Sequence, residues 1–191
     1  RRTQCAETLR RIASLTGSAA TLDEKLKYSL LDLVRLLQAE VGAILLFDAE
    51  RGELRPHWAS LYGIEQHQLP QLRLLSLEKS ESLQMVSGSH RTLLSGDLTQ
   101  ELLHPFYAAL VNDLDLHSAI VVPLITHERG IGELLIASRQ ADFFDQNDER
   151  SVLTAAGQIA AAIEHTKLYS QSDQDLHQRV DQLTALTRIS R

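Results

Sequence analysis

A single cysteine, Cys5, occurs in the 191 residues. No intrachain disulfide can form, and a Cys-only zinc site or a two-thiol redox cycle lacks its sulfurs. Basic residues are also in short supply: 19 Lys and Arg against 25 Asp and Glu leave a formal net charge of -6. A surface built to neutralise many phosphates needs the opposite excess, so no direct nucleic-acid partner is expected. No apolar run approaches the roughly 18–20 residues that cross a bilayer, and the residues from Arg1 onward show no signal-peptide pattern. The expectation is a soluble, cytoplasmic chain with no membrane segment in this stretch. What is present is ordinary globular composition, 43% apolar and 23% charged, at a length that supports one domain with an appendage. The first residue is not Met and the last lies inside a helical pattern, so the chain reads as part of a longer polypeptide.

Cys5, Leu9 and Ile12 recur at four-three spacing, the seam of a leading helix over about 3–14 that Gly17 ends. Thr21 followed by Glu24 is a capping box, and Leu22, Leu26, Leu30, Leu33 and Leu37 carry a second helix to about Ala39. Ala43 to Phe47 is too short for a helix and predicts a buried strand. A turn over 48–52 leads to a second strand, Glu53 to Ser60, in which Pro56 demands an edge position or a bulge. The middle of the chain, with its Ser, Gly and Pro, predicts a short helix near 81–86, a short strand at 92–94 and a helix over 100–112. In that last helix Pro105 is tolerated only in the first turn. Ala119 to Ile125 and Ile131 to Ala137, joined by the turn 127–130, are nearly continuous apolar runs, hence strands covered on both faces. Asp145 then offers an N-cap, with Asp148 and Glu149 in the first turn of a final helix of about 40 residues.

This succession predicts an α+β fold in α/β/α layers, a central antiparallel sheet with helices on both faces. The run from Ser118 through Val122-Pro123-Leu124, then Ile131-Gly132-Glu133-Leu134, Phe144, Asp148-Glu149 and the helix Gln158 to Ile163, resembles the second half of a GAF domain. The leucine-rich helix leading into Gly42-Ala43-Ile44-Leu45-Leu46 is similar to the first half. The resemblance divides the chain into a leading helix and linker at 1–20, a GAF domain at 21–169 and a trailing helix or coiled-coil linker at 170–191. It implies a sensory or regulatory input module of a signal-transduction protein, with no catalysis of its own and no catalytic residues in this stretch. A small-molecule ligand, a homodimer formed through the flanking helices and a downstream signalling domain in the same polypeptide complete that expectation. The dimer seam would run through Cys5, Leu9, Ile12, Ile159, Ile163, Leu176, Val180 and Leu183. Leu9-Arg10-Arg11-Ile12 and Leu186-Thr187-Arg188-Ile189 share a pattern at equivalent borders, which points to a tandem array of such domains.

The resemblance places a ligand pocket between one sheet face and the irregular middle segment. Trp58, Tyr62, Asp97, Phe106 and His117 are the candidate lining, since they offer stacking faces and a few polar groups. Against this stands an interaction scaffold with a collapsed pocket and aromatics that are only core. Cyclic-nucleotide-binding members pair Asn-Lys with a downstream Phe-x-x-x-Asp-Glu. Here Phe144, Asp148 and Glu149 match, but Ser138-Arg139 replaces Asn-Lys, leaving Arg139 to pair with Asp148 as a structural clip. The eight histidines form no ligand-spaced pair, so no metal is expected, although haem needs only one well-placed His such as His90, His104 or His117. Cys5 sits on a helix seam with no surrounding bilin pattern. Gly130-x-Gly132 between strands lacks the third glycine of a dinucleotide fingerprint, and Ser87-Gly88-Ser89-His90 is no nucleophile elbow.

Overall fold

The computed structural model describes residues 2–48, 53–64, 91–99, 105–127 and 129–189. The helix expected at 81–86, residues 49–52 of the first turn and residues 100–104 of the expected middle helix lie outside them. Helix α1 (Arg2–Thr16) is followed by helix α2 (Leu22–Leu37). The capping box forms as the sequence predicts: Glu24 N–H donates to Thr21 Oγ1 at 3.3 Å, and Thr21 N–H donates to Glu24 Oε2 at 2.9 Å. The Thr21 N–H bond first, and the Thr21 hydroxyl donating to the same Oε2 at 2.9 Å second, hold the Glu24 carboxyl below the usual carboxylate range. Leu26, Leu30 and Leu33 are at most 1% exposed, and each such burial contributes about 1.5–3 kcal/mol. The helix stops two residues before the expected Ala39. Gln38 turns left-handed, with φ 56 and ψ 33, and donates its N–H to the Arg35 and Val34 carbonyls.

Among the described residues five strands follow: β1 (Val41–Asp48), β2 (Glu53–Tyr62), β3 (Leu93–Ser95), β4 (Ser118–Thr126) and β5 (Arg129–Ser138). They form one sheet in the order β2-β1-β5-β4-β3, every neighbouring pair antiparallel. The two apolar runs, β4 and β5, sit inside it, which is why both of their faces are buried. Pro56 satisfies both of its alternatives, because β2 is an edge strand and it bulges. Between the pairs Ala43↔Leu61 and Leu45↔Pro56, β1 advances two positions while β2 advances five.

Strand alternation separates two cores. One row, Tyr62–Gly42–Ile136–Ile120–Leu94, crosses the whole sheet and faces α2. The next row, Leu61–Ala43–Leu135–Val121–Leu93, faces the opposite way. On that second side lies α3 (Pro105–Leu114), with Pro105 at its first position as required. On the first side, Ile44, Ile120, Val122, Leu134 and Ile136 pack with α2, α1 and the first part of α4 (Gln146–Ile189). The Asp145 cap is present, with Oδ1 accepting from the N–H groups of Asn147 and Asp148, while Asp148 Oδ2 accepts from Asp145 N–H.

Two expectations need correction. Ile12 and Ile159, assigned to a dimer seam, are each 1% exposed within this single chain. Both belong to the core shared by α1, α2 and α4, so neither side chain is available to a partner. Leu9 and Ile163 are partly buried against the same core. Arg139 does not clip Asp148. Its Nε donates to the Leu114 carbonyl at 3.1 Å, satisfying an end carbonyl of α3, a type of group that helix termini leave without an internal partner.

Candidate functional site

The side of the sheet that carries α3 is lined by the second row of side chains. Val41, Ala43, Leu45, Ala119, Val121, Leu135 and Ala137 pack there with Leu98, Leu110, Leu114 and Leu116. Among the described residues, a wholly apolar gap of about 10 Å³ lies between Leu93, Leu98, Leu110, Val111, Leu116 and Val121.

The candidate lining does not converge. Asp97 and His117 are close in space: Leu98 N–H donates to the His117 carbonyl at 2.8 Å, and His117 N–H donates to the Ser138 carbonyl at 2.9 Å. Asp97 Oδ1 accepts from both the N–H and the hydroxyl of Thr99, a local turn, and His117 Nε2 lies 3.5 Å from Asp115 Oδ1. Tyr62 stands across the sheet on β2, three strand spacings or about 14 Å from β4, in the row that faces α2. It is 39% exposed, and Trp58, in the bulge of the same edge strand, is 45% exposed. Phe106 lies in the first turn of α3, and its side chain is outside the described residues. Of the haem candidates, His90 and His104 are outside them as well.

Two features were missed by the sequence reading. Glu133 is 0% exposed in the middle of β5, on the α3 side by alternation, between Leu45 and Pro123 on the neighbouring strands. A buried carboxylate is costly to desolvate and is retained only with compensating contacts. Its signal was legible as the one acid inside an apolar strand pattern. The second feature is a Ser–His–Asp chain. His57 Nδ1 lies 2.9 Å from Ser60 Oγ, and His57 Nε2 lies 3.2 Å from Asp23 Oδ1. Nucleophilic catalysis needs a serine that a substrate can reach, and Ser60 is 1% exposed. The chain therefore pins the β2 bulge to the first turn of α2. Periodicity could not reveal it, since residues three apart on a regular strand point to opposite faces.

Cys5 lies on α1, on the helical side of the sheet opposite α3, with Sγ 3.1 Å from Ser151 Oγ in the second turn of α4. Among the described residues, no three His, Cys, Asp or Glu side chains gather as metal ligands, and no helix is long and apolar enough to cross a membrane.

A family model described as GAF domain matches residues 19–164. No curated protein matches the chain. Among solved structures, the GAF domain of a phosphoenolpyruvate-protein phosphotransferase from Coxiella burnetii superposes with a TM-score of 0.72 at 21% identity, covering 88% of this chain and 98% of its own. Free methionine-R-sulfoxide reductase from Neisseria meningitidis, in complex with its substrate, gives 0.68 at 19% identity, covering 86% and 91%. The phycocyanobilin-bound GAF domain of a cyanobacterial phytochrome gives 0.67 at 15% identity, covering 86% and 96%.

Proposed function

The chain belongs to the GAF domain family, and from that premise we propose that it is a regulatory input module of a cytoplasmic signal-transduction polypeptide. In this reading a small molecule binds on the α3 side of the sheet, and its occupancy is passed on mechanically through a homodimer of flanking helices, without chemistry in this domain. The observation that carries the reading is α4. Val152, Ala155, Ala156, Ile159 and Ala160 seal the core, and the same helix is 44 residues long, about 66 Å at 1.5 Å per residue. The ten-residue β5 reaches only about 33 Å. A helix with one end embedded in a domain carries any shift of that domain outward as a rigid body. The phytochrome and reductase structures lend further support, because in them this fold holds a pigment and a substrate.

The close apolar packing of Leu98, Leu110, Leu116, Val121 and Leu135 on the α3 side supports a second reading, a pairing and spacing scaffold. A thermal-shift screen against nucleotides, haem, amino acids and organic acids separates the two. A ligand at 100 times its dissociation constant raises stability by about 2.7 kcal/mol, and silence across every class selects the scaffold. Sedimentation at micromolar concentration tests pairing, and a strict monomer would remove the dimer from both readings.

A further inference from the structure

The connector between β5 and α4, residues 139–145, runs round the end of the sheet from one core to the other. At its start Arg139 Nε donates to the Leu114 carbonyl of α3 at 3.1 Å. Ser118 Oγ then donates to the Gln140 carbonyl at 2.7 Å, and Asp142, left-handed with φ 51, donates its N–H to the Gly96 carbonyl at 2.9 Å. The fit at the Gly96 tie is close: a methyl group there would stand 2.1 Å from Asp142 Oδ1. At the finish of the connector Phe144 is buried in the core of α1, α2 and α4, edge-on to Phe143 with ring centroids 5.1 Å apart, and Asp145 caps α4. One short segment therefore touches α3, the β3 end of the sheet and the first turn of α4 in succession.

Asp115 turns left-handed after α3, with φ 55, and Leu116 N–H donates to the Val111 carbonyl at 3.0 Å, so the helix ends in a closed cap before β4 begins at Ser118. The last carbonyls of a helix carry the negative end of its dipole and lack internal partners, and a guanidinium donates to such an oxygen more strongly than a neutral group does. Arg139 is exposed, so its side chain fills no part of either core. Leu110 and Leu114 are at most 5% exposed and hold α3 to the sheet. A shift of α3 over that apolar face moves the Leu114 carbonyl, and the connector either follows through Arg139 or loses a charge-assisted bond.

We propose that Arg139 is a positioning residue that couples α3 to α4: its bond to the Leu114 carbonyl makes the end of α3 and the connector shift and open together, and the connector passes the change to the cap of α4. The inference names the route of the mechanical regulation proposed above and rests on that reading for its purpose. The coupling itself needs no ligand. A silent ligand screen would remove the regulatory reading and leave the coupling standing, whereas independent opening of the two ends removes the coupling and leaves the reading in place.

Native-state hydrogen exchange on the full chain tests it as a double-mutant cycle. Leu110→Val loosens α3 from the sheet by removing a buried methylene. The Leu116 amide reports the end of α3, the Asp142, Asp145 and Glu149 amides report the connector and the α4 cap, and the Leu134 amide in central β5 reports global unfolding. With Arg139 in place, Leu110→Val is expected to speed the α3 and connector amides together, the connector by about fivefold or more beyond Leu134. In Arg139→Met, which keeps the length and loses the donor, Leu110→Val speeds Leu116 alone. Arg139→Gln, whose Nε2 lies as many bonds from the backbone as the arginine Nε, restores the joint response, which a merely structural side chain would not do. If Leu110→Val unfolds the chain or leaves Leu116 unmoved, Val111→Ala at the partly buried neighbour takes its place. Connector amides that keep their rates while Leu116 speeds up, a joint response that persists in Arg139→Met, or an acceleration no greater than that of Leu134 overturns the proposal.

Discussion

A methyl group on Gly132 would stand 2.2 Å from the carbonyl oxygen of Leu45. The obstacle is backbone on a central strand, which has no rotamer to yield. The glycine spacing around the β4–β5 hairpin thus answers to the close approach of β1 and β5, and Gly132→Ala is expected to destabilise the fold by about 1–3 kcal/mol. Urea unfolding measures it, and an unchanged midpoint would show that the strands part freely.

Arg11 Nη2 and Asp32 Oδ1 meet at 3.0 Å between α1 and α2. Asp32 is 9% exposed, and its Oδ2 has no hydrogen-bond partner among the described residues, whereas the Arg11 side chain is 67% exposed. The pair is asymmetric: losing the arginine strands a buried charge, and losing the acid frees a hydrated one. Arg11→Ala is expected to cost about 1–2 kcal/mol and Asp32→Asn less, with the double variant regaining part of the Arg11→Ala loss. Equal losses in the two single variants would refute the asymmetry.

Gln38 holds a left-handed conformation that glycine adopts freely. Its side chain is exposed. Gln38→Gly is therefore expected to raise stability by about 0.5–1 kcal/mol, against the usual penalty for introducing glycine. Thermal or denaturant melts give the sign directly.

Glu24 carries a pH signature. Because its carboxyl is held below the usual range in the folded state, its contribution is present above the unfolded value of about 4.3 and disappears as pH falls through the lower folded value. The thermal midpoints of the native chain and of Glu24→Gln should differ most above about pH 5 and converge toward pH 3. A gap that is constant over that interval would mean the carboxylate's charge contributes nothing.

Much of this architecture was legible because burial imposes periodicity. The apolar runs of β4 and β5, the leucine stripe of α2, the capping box and the place of Pro105 all follow from local pattern. What escaped was non-local or aperiodic. The bulge in β2 breaks the two-residue repeat, so neither the His57–Ser60 contact nor the facing of Tyr62 could be read from spacing. The seam of α1 was correctly seen as apolar, but one dimension cannot say whether Ile12 meets its own chain or another. Asp97 and His117 become neighbours only through the β3–β4 pairing, and Arg139 finds the Leu114 carbonyl across 25 residues of sequence.

The broken register of β2 has a further effect. Among the described residues β2 and the three-residue β3 form the two rims of the sheet, and a rim with a continuous row of free amides invites a stray chain to add to it. The Pro56 nitrogen offers no hydrogen, and the three surplus residues beside it throw the remaining donors out of step. Among the described residues, the longer of the two rims is thereby a poor template for an added strand.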